Sequence, residues 1–512
     1  MIVLSLQRSV VAVGRRFFSS SYPTCTFNAG KLSPSLTNLL KNNGITITQE
    51  DCQTELSKPL LENLHDRGLI ETCVNEEELQ KTLFTRKLGL YCGADPTAKS
   101  LHLGNLLPLM ILLHFNIHGH NIFPLIGGAT GAVGDPSGRT TERTSMTNDS
   151  REDHVTRISH QLINFFKMGI SYASTRNPAI STENCGAMEL KNNYSWWKDM
   201  RMLQFLSNYG KFIRVNQMLA RDSIRNRISS EQGIGFNEFA YQVLQAYDYY
   251  YLNKTYGVDV QVGGKDQYGN IVAGIDFINR INKSKTALTE TKKPENDLKQ
   301  CFGLTVPLLT TASGVKFGKS AGNAIFIDPE LTPTFDIYQF MYRTEDEDVE
   351  RFLCKFSLLP LSVIHKIVKV HMQDKSKRFG QKILAFEICD LIHGDGEGLL
   401  NYETSKLIYG NPKKINADQV IKTFGEQNLV TKISMKEFLK ISVPNLLFKM
   451  SNGAQSKSEF RRMMKTGAVL NGLSKKMKLK DPRNLLKRTD LIDDKLLMLK
   501  AGKKLYLAEV TE

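Results

Sequence analysis

The 512-residue sequence has no Cys-x-x-Cys pair, no His-Glu-x-x-His motif, no acidic residue before Glu50, and two tryptophans. Its eight cysteines, Cys25, Cys52, Cys73, Cys92, Cys185, Cys301, Cys354 and Cys389, are scattered. That scatter argues against a zinc ribbon and a disulfide framework, and it suits a reducing compartment. The aliphatic block at 106–113 ends at His114, far short of the roughly 20 apolar residues a membrane-spanning helix requires. No membrane partner is therefore expected. The stretch GGATGAVGDPSG at 127–138 spaces Gly128, Gly131 and Gly134 every third residue, so it lacks the G-x-G-x-x-G pattern of a dinucleotide site. A Walker A motif is also missing, because KFGKS at 316–320 is preceded by Ser313 where that motif needs glycine. His114, His118 and His120 include an i, i+4 pair, but no H-E-x-x-H motif or third ligand accompanies that pair, so no metal site is expected there.

Charge is present, but it is unevenly placed. The chain carries 67 Lys plus Arg against 52 Asp plus Glu, a net charge of +15. Residues 1–49 hold five basic side chains and no acid, and residues 431–512 hold 19 basic and eight acidic ones, which leaves residues 50–430 at −1. The first 22 residues, MIVLSLQRSVVAVGRRFFSSSY, combine arginines, serines and apolar residues. That composition is typical of a mitochondrial transit peptide. It predicts an address segment over 1–25, processing just after Arg15-Arg16, and a mitochondrial matrix location.

From about 83 to 280, short apolar segments alternate with amphipathic ones, as at 88–92, 103–118, 121–126, 236–252 and 258–262. The alternation predicts an α/β domain with a largely parallel sheet. The lysine-rich stretch 283–300 reads as an exposed loop. After Thr332-Pro333 the pattern becomes helical, including an apolar-periodic run at 349–370, and a helical domain is expected to end near Gly410-Asn411-Pro412.

Two segments carry phosphate chemistry. LYCGADPTAKSLHLGNL at 90–106 reads as a strand end, a turn and a helix opening at His102-Leu103-Gly104-Asn105. A glycine at a helix start admits a ligand close to the unpaired N–H groups, where the dipole favours an anion. The second segment is KFGKS, whose Lys316 and Lys319 sit on a short Gly-bearing loop. Mobile lysines suit charge that develops on a leaving pyrophosphate.

HLGN followed more than 200 residues later by KFGKS resembles the signature pair of class I aminoacyl-tRNA synthetases. The order YCGADPT (91–97), HLGN (102–105), GDPSGRTTER (134–143), YQVLQAYD (241–248), GGKDQYGN (263–270) and KFGKS narrows the resemblance to the tyrosyl branch, bacterial type, over roughly residues 55–510. The transit-like start and basic composition add the mitochondrial form.

The resemblance implies a Rossmann-like catalytic domain over 31–328 with a dimerisation insertion at about 155–230, so a homodimer is implied. It further implies an α-helical anticodon-recognition domain over 329–425 and a small α+β RNA-binding domain, similar to a ribosomal protein, over 431–512. The substrates implied are tyrosine, ATP with Mg2+ and mitochondrial tRNA(Tyr), with no tightly bound cofactor. Tyr91 and Asp248 would hold the phenol hydroxyl, Asp135, Tyr241 and Gln245 the ammonium, and Gln267 would lie near the carboxylate. Tyr241, Gln245 and Asp248 fall at i, i+4 and i+7, one face of a helix.

For ATP the resemblance implies Cys92, Gly93, Asp95, Gly104, Asn105, Arg139, Arg143, Asp266, Lys316, Lys319 and Ser320, with Thr97, His102, Lys316 and Lys319 as the catalytic set. Three positions depart from the family pattern: Asn105 stands for a second histidine, Arg139 for a lysine and Tyr268 for a tryptophan. In the basic tail, Lys457, Arg461, Arg462 and Lys465 are the expected RNA contacts. Two alternatives remain open on these residues: the tryptophan-specific sister enzyme, and an RNA-binding splicing or assembly factor without catalysis.

Overall fold

The computed structural model describes residues 31–137, 147–228, 233–288, 300–314, 319–320, 323–409, 415–425, 429–471, 478–502 and 504–511. The expected transit segment, 1–25, lies outside the described residues.

A six-stranded sheet organises the first part of the chain. Its strands are β1 (Thr72–Val74), β2 (Gly89–Ala94), β3 (Asn121–Ile126), β4 (Lys191–Asn192), β5 (Val258–Gly264) and β6 (Phe302–Val306), in the order β1-β6-β5-β2-β3-β4. β1 is antiparallel to β6, and the other pairs are parallel. The expected parallel α/β sheet is thus present, with one antiparallel edge strand. Central strands such as VDVQVGG and FGLTV are buried along nearly their whole length, as strands covered on both faces must be.

Helix α1 (Leu106–Ile117), preceded by one 3-10 turn at Leu103–Asn105, buries eleven of its residues on one side of the sheet. α2 (Asn148–Arg176) lies against α1. α3 (Phe236–Tyr256) and α4 (Tyr268–Leu288) cover the other side. Because strand side chains alternate, Leu90 and Cys92 enter the core with α1 while Tyr91 faces the α3 side. α4 carries the chain to Leu288, so the beginning of the stretch expected as a loop, 283–288, is helical. Its tail 289–299 lies outside the described residues.

β2 is followed in sequence by β3 and β4 on one side of it, and by β5 and β6 on the other. The order therefore reverses between β2 and β5. A crevice forms at the carboxyl ends of strands at such a switch point, and the motifs at 91–105 and 263–270 both emerge there.

A helical layer follows: α5 (Thr334–Tyr342), α6 (Val349–Phe356), α7 (Leu361–Gln373), α8 (Phe379–His393) and α9 (Glu397–Tyr409). The run expected at 349–370 divides at Ser357–Pro360, since proline removes a backbone donor and disfavours helix in the residue before it. α8 is the buried hub and packs on α2, α5, α6 and α9. Arg176, at the end of α2, is fully buried against Glu387 at 3.1 Å and against Asp390.

The chain ends in a second sheet. β9 (Val430–Ser434), β10 (Val469–Asn471), β11 (Leu496–Ala501) and β12 (Lys504–Thr511) pair in the order β10-β11-β12-β9. α10 (Val443–Met450) and α11 (Lys457–Lys465) share its core. A helix at Ala417–Gly425 buries Val420 and Phe424 with Leu407 of α9 and with Met498 and Leu507 of this sheet, joining the two units.

Candidate active site

β2 delivers Tyr91 to the α3 face, where it is 1% exposed. Its hydroxyl has no hydrogen-bond partner among the described residues. A buried donor without a partner is costly and is most simply explained by a ligand that completes it. Burial, with Asp248 nearby, pushes the Tyr91 phenol well up.

Asp248, 2% exposed, belongs to α3, whose helical spacing aligns it with Tyr241 and Gln245. Three N–H groups converge on its carboxylate. Asn193 Nδ2 donates to Oδ2 at 2.9 Å, and Trp196 Nε1 and Trp197 Nε1 both donate to Oδ1, at 2.8 and 2.7 Å. These donors favour the ionised form, but burial outweighs them and raises the Asp248 pKa to about 7.

Further along α3, Tyr241 donates its hydroxyl to Asp95 Oδ2 at 2.7 Å, and Thr130 donates to Asp95 Oδ1 at 2.8 Å. Asn193 Nδ2 also reaches Thr130 Oγ1 at 3.0 Å, which links the Asp95 and Asp248 clusters. Asp135 accepts from Gln267 at 2.7 Å, and Gln245 donates to Gln267 at 3.2 Å. Asn270 donates to both Gln245 and Gln267, each at 3.1 Å. The negative charges of Asp95 and Asp135 both act on Tyr241, so this end of the site favours a cation.

The glycine-rich stretch has a steric explanation. A Cβ on Gly127 would fall 1.9 Å from Asp95 Oδ1, and one on Gly131 would fall 2.7 Å from Pro96. These glycines let the turn after β2, at Asp95-Pro96, lie directly on the 127–131 backbone.

On the phosphate side, Asn105 Oδ1 accepts the His102 backbone N–H at 3.0 Å and so fixes the helix start. A Cβ on Gly104 would lie 3.0 Å from the His102 ring, so glycine leaves room for the imidazole over the helix opening. Thr97 and Gly93 are exposed at the end of β2, and Asp266 is exposed after β5. Cys92 is buried, and burial pushes its thiol up to about 12, which leaves it un-ionised at neutral pH. Lys319 and Ser320 form a two-residue strand, β7, paired with β8 (Asn323–Ala324). Lys316, Arg139 and Arg143 lie outside the described residues.

Two of the clustered histidines serve the backbone. His118 Nδ1 lies 2.7 Å from the His114 carbonyl, and His120 Nδ1 accepts the Leu88 N–H at 3.1 Å. In the C-terminal unit, α11 turns Phe460 and Met464 inward and leaves Lys457, Arg461, Arg462 and Lys465 exposed together.

Sequence reasoning missed Asn193, Trp196, Trp197, Thr130 and Asn270. The one available signal was Trp196-Trp197 itself, since the chain spends both of its tryptophans there.

Comparison with known proteins shows the family. A family model described as tRNA synthetases class I (W and Y) matches residues 83–409. The Saccharomyces cerevisiae mitochondrial tyrosine–tRNA ligase is 46% identical over 459 residues, 89% of this chain and 89% of that protein. The Bacillus velezensis tyrosine–tRNA ligase is 37% identical over 450 residues, 87% of this chain and 98% of that one. A solved structure of a C-terminally truncated Aspergillus nidulans mitochondrial tyrosyl-tRNA synthetase, 36% identical, covers 70% of this chain and 97% of its own with a TM-score of 0.63.

Proposed function

The chain belongs to the class I tyrosyl-tRNA synthetases and is a tyrosine–tRNA ligase, and from that premise we propose how its residues divide the work. Tyr91 and Asp248 hold the substrate hydroxyl. Asp135, Tyr241 and Gln245 hold the ammonium, with Asp95 behind Tyr241, and Gln267 stands beside the carboxylate. The observation that carries this reading is the buried Asp248 carboxylate, fixed by three N–H donors next to the unpartnered Tyr91 hydroxyl.

ATP enters as its magnesium complex. Its adenosine end meets Cys92, Gly93, Gly104 and Asp266, and its phosphates meet Thr97, His102, Asn105, Arg139, Arg143, Lys316, Lys319 and Ser320. The tyrosine carboxylate attacks the α-phosphate, the bond to pyrophosphate breaks, and a terminal ribose hydroxyl of the tRNA then displaces AMP from the tyrosyl group. No side chain needs to act as a nucleophile. Positioning and charge stabilisation by Thr97, His102, Lys316 and Lys319 supply the rate.

The ligase is mitochondrial, and we propose the matrix as its location, with the basic start as its address. The RNA partner is mitochondrial tRNA(Tyr), held partly by Lys457, Arg461, Arg462 and Lys465. The working form is a homodimer. Between β4 and the first turn of α3 the chain exposes Met202, Leu203, Val215 and Phe236, at 66%, 82%, 56% and 70%. Exposed apolar side chains of this kind support an interface; Met202, Leu203 and Val215 fall within the expected insertion at about 155–230, and Phe236 lies just after it.

The test is aminoacylation. Purified protein with Mg-ATP and radiolabelled tyrosine should charge mitochondrial tRNA(Tyr), and it should elute at twice the monomer mass. Absence of charging with the matched tRNA would overturn the reading.

A further inference from the structure

A carboxylate oxygen offers two lone-pair directions. At Asp248, among the described residues, Oδ1 receives two indole N–H groups, from Trp196 at 2.8 Å and Trp197 at 2.7 Å, whereas Oδ2 receives one donor, Asn193. The first oxygen is filled and the second has one acceptor direction left. We propose that Trp197 is a positioning residue for tyrosine recognition: by closing Oδ1 it leaves Oδ2 as the single acceptor for the substrate phenol, and it holds Asp248 in its acceptor-only state.

The proposal rests on the reading of Asp248 as the phenol-binding group. Trp197 does not touch the substrate under this scheme and acts through Asp248. Its indole is set by packing, since its ring lies 5.4 Å from Phe205 and 4.9 Å from Tyr247. Trp196 is held separately by stacking on Tyr251 at 4.5 Å. The two N–H groups are thus aimed by different parts of the aromatic core.

The remaining surroundings of Asp248 make a second indole consequential. β2 brings Tyr91, and the turn after it brings the negative charge of Asp95, which disfavours ionisation of Asp248. α3 itself contributes Tyr241, which bonds to Asp95 and also feels Asp135. The 193–197 segment contributes neutral donors, Asn193 and the two indoles. Against burial and a neighbouring acid, each N–H bond to the carboxylate matters to its charge. A bond to a charged group contributes about 1.5 to 3 kcal/mol, so losing one raises the carboxyl pKa by roughly 1 to 2 units.

Trp197→Phe keeps an aromatic ring and removes the N–H. The acidic limb of kcat/KM for tyrosine in pyrophosphate exchange should move up by roughly 1 to 2 pH units, with KM for ATP and kcat at pH 8.5 near wild type. A second measurement uses the unmodified protein. With two tryptophans in the chain, an indole 15N spectrum holds two side-chain signals, and both should move with one common midpoint as Asp248 protonates. Both should lose that midpoint in Asp248→Asn.

Separate midpoints, or an unmoved acidic limb in Trp197→Phe, would overturn the role of Trp197. Wild-type tyrosine kinetics in Asp248→Asn would instead overturn the underlying reading of the phenol site, so the two failures are distinguishable.

Discussion

Tyr241 donates its hydroxyl to Asp95 across a separation of 146 residues. That bond fastens the turn after β2 to the helix that presents Asp248. It also sets Asp95, expected among the ATP contacts, against Tyr241, the residue we propose holds the tyrosine ammonium. Tyr241→Phe should therefore raise KM for tyrosine by about 10- to 100-fold, the cost of losing a hydrogen bond to a charged group at roughly 1.5 to 3 kcal/mol. KM for ATP should change little. Pyrophosphate exchange with each substrate varied in turn measures both.

Gly127→Ala tests the same turn from the other side. The new methyl would fall 1.9 Å from Asp95 Oδ1, so Asp95 must move. Overpacking of this kind costs about 1 to 3 kcal/mol, and the expected result is a folded protein with a several-fold to 100-fold higher KM for tyrosine. Unchanged KM would mean that Asp95 does not support the amino-acid site.

Lys319→Ala should lower the rate of adenylate formation while leaving tyrosine affinity nearly intact, because a lysine that neutralises charge on the leaving pyrophosphate acts chiefly in the transition state. Stopped-flow kinetics with equilibrium tyrosine binding separates the two. Equal losses in both would assign the lysine a structural role.

The basic tail can be removed at a place the packing recommends. The helix at Ala417–Gly425 shares a cluster with Met498 and Leu507, so a cut near residue 430 would strip Val420 and Phe424, whereas a chain ending at Tyr409 removes the helix together with Met498 and Leu507 and uncovers Leu407. That chain should still activate tyrosine but charge tRNA poorly, and its tRNA binding should depend less on salt. The slope should shrink by about 0.7 to 0.9 for every phosphate that the tail no longer neutralises. Filter binding at several salt concentrations provides the comparison.

The α2–α8 contact predicts a pH effect on stability. Arg176 serves Glu387, Asp390 and Asp395 at once, and burial raises the Asp390 pKa to about 7. The folded state then binds a proton that the unfolded state releases near pH 4. Stability from this group is complete below that pH and declines as pH rises toward 7. Asp390→Asn should flatten the fall in denaturation midpoint between pH 5 and pH 8, measured by urea titration.

What was legible in the sequence was what depends on local spacing. The face formed by Tyr241, Gln245 and Asp248 follows from helical periodicity, and the alternation of segments from 83 to 280 follows from burial on both faces of a sheet. What was not legible depends on distant segments meeting. Trp196, Trp197 and Asn193 reach Asp248 from more than 50 residues away, and no local pattern aims an indole at a carboxylate. Gly131 was read by motif spacing alone and Gly127 was not singled out, and the reason for both, the turn packed on them, is tertiary. The single helical run expected at 349–370 overlooked the break that Pro360 imposes.

The central claim is that Asp248 and Tyr91 read the substrate hydroxyl. Pyrophosphate exchange with tyrosine, phenylalanine and tryptophan, run on wild type and Asp248→Ala, tests it most directly. The account predicts exchange with tyrosine alone in the wild type and a loss of kcat/KM for tyrosine of at least about 10-fold in Asp248→Ala, from the bond to a charged group. Tyrosine kinetics unchanged in that variant would contradict it.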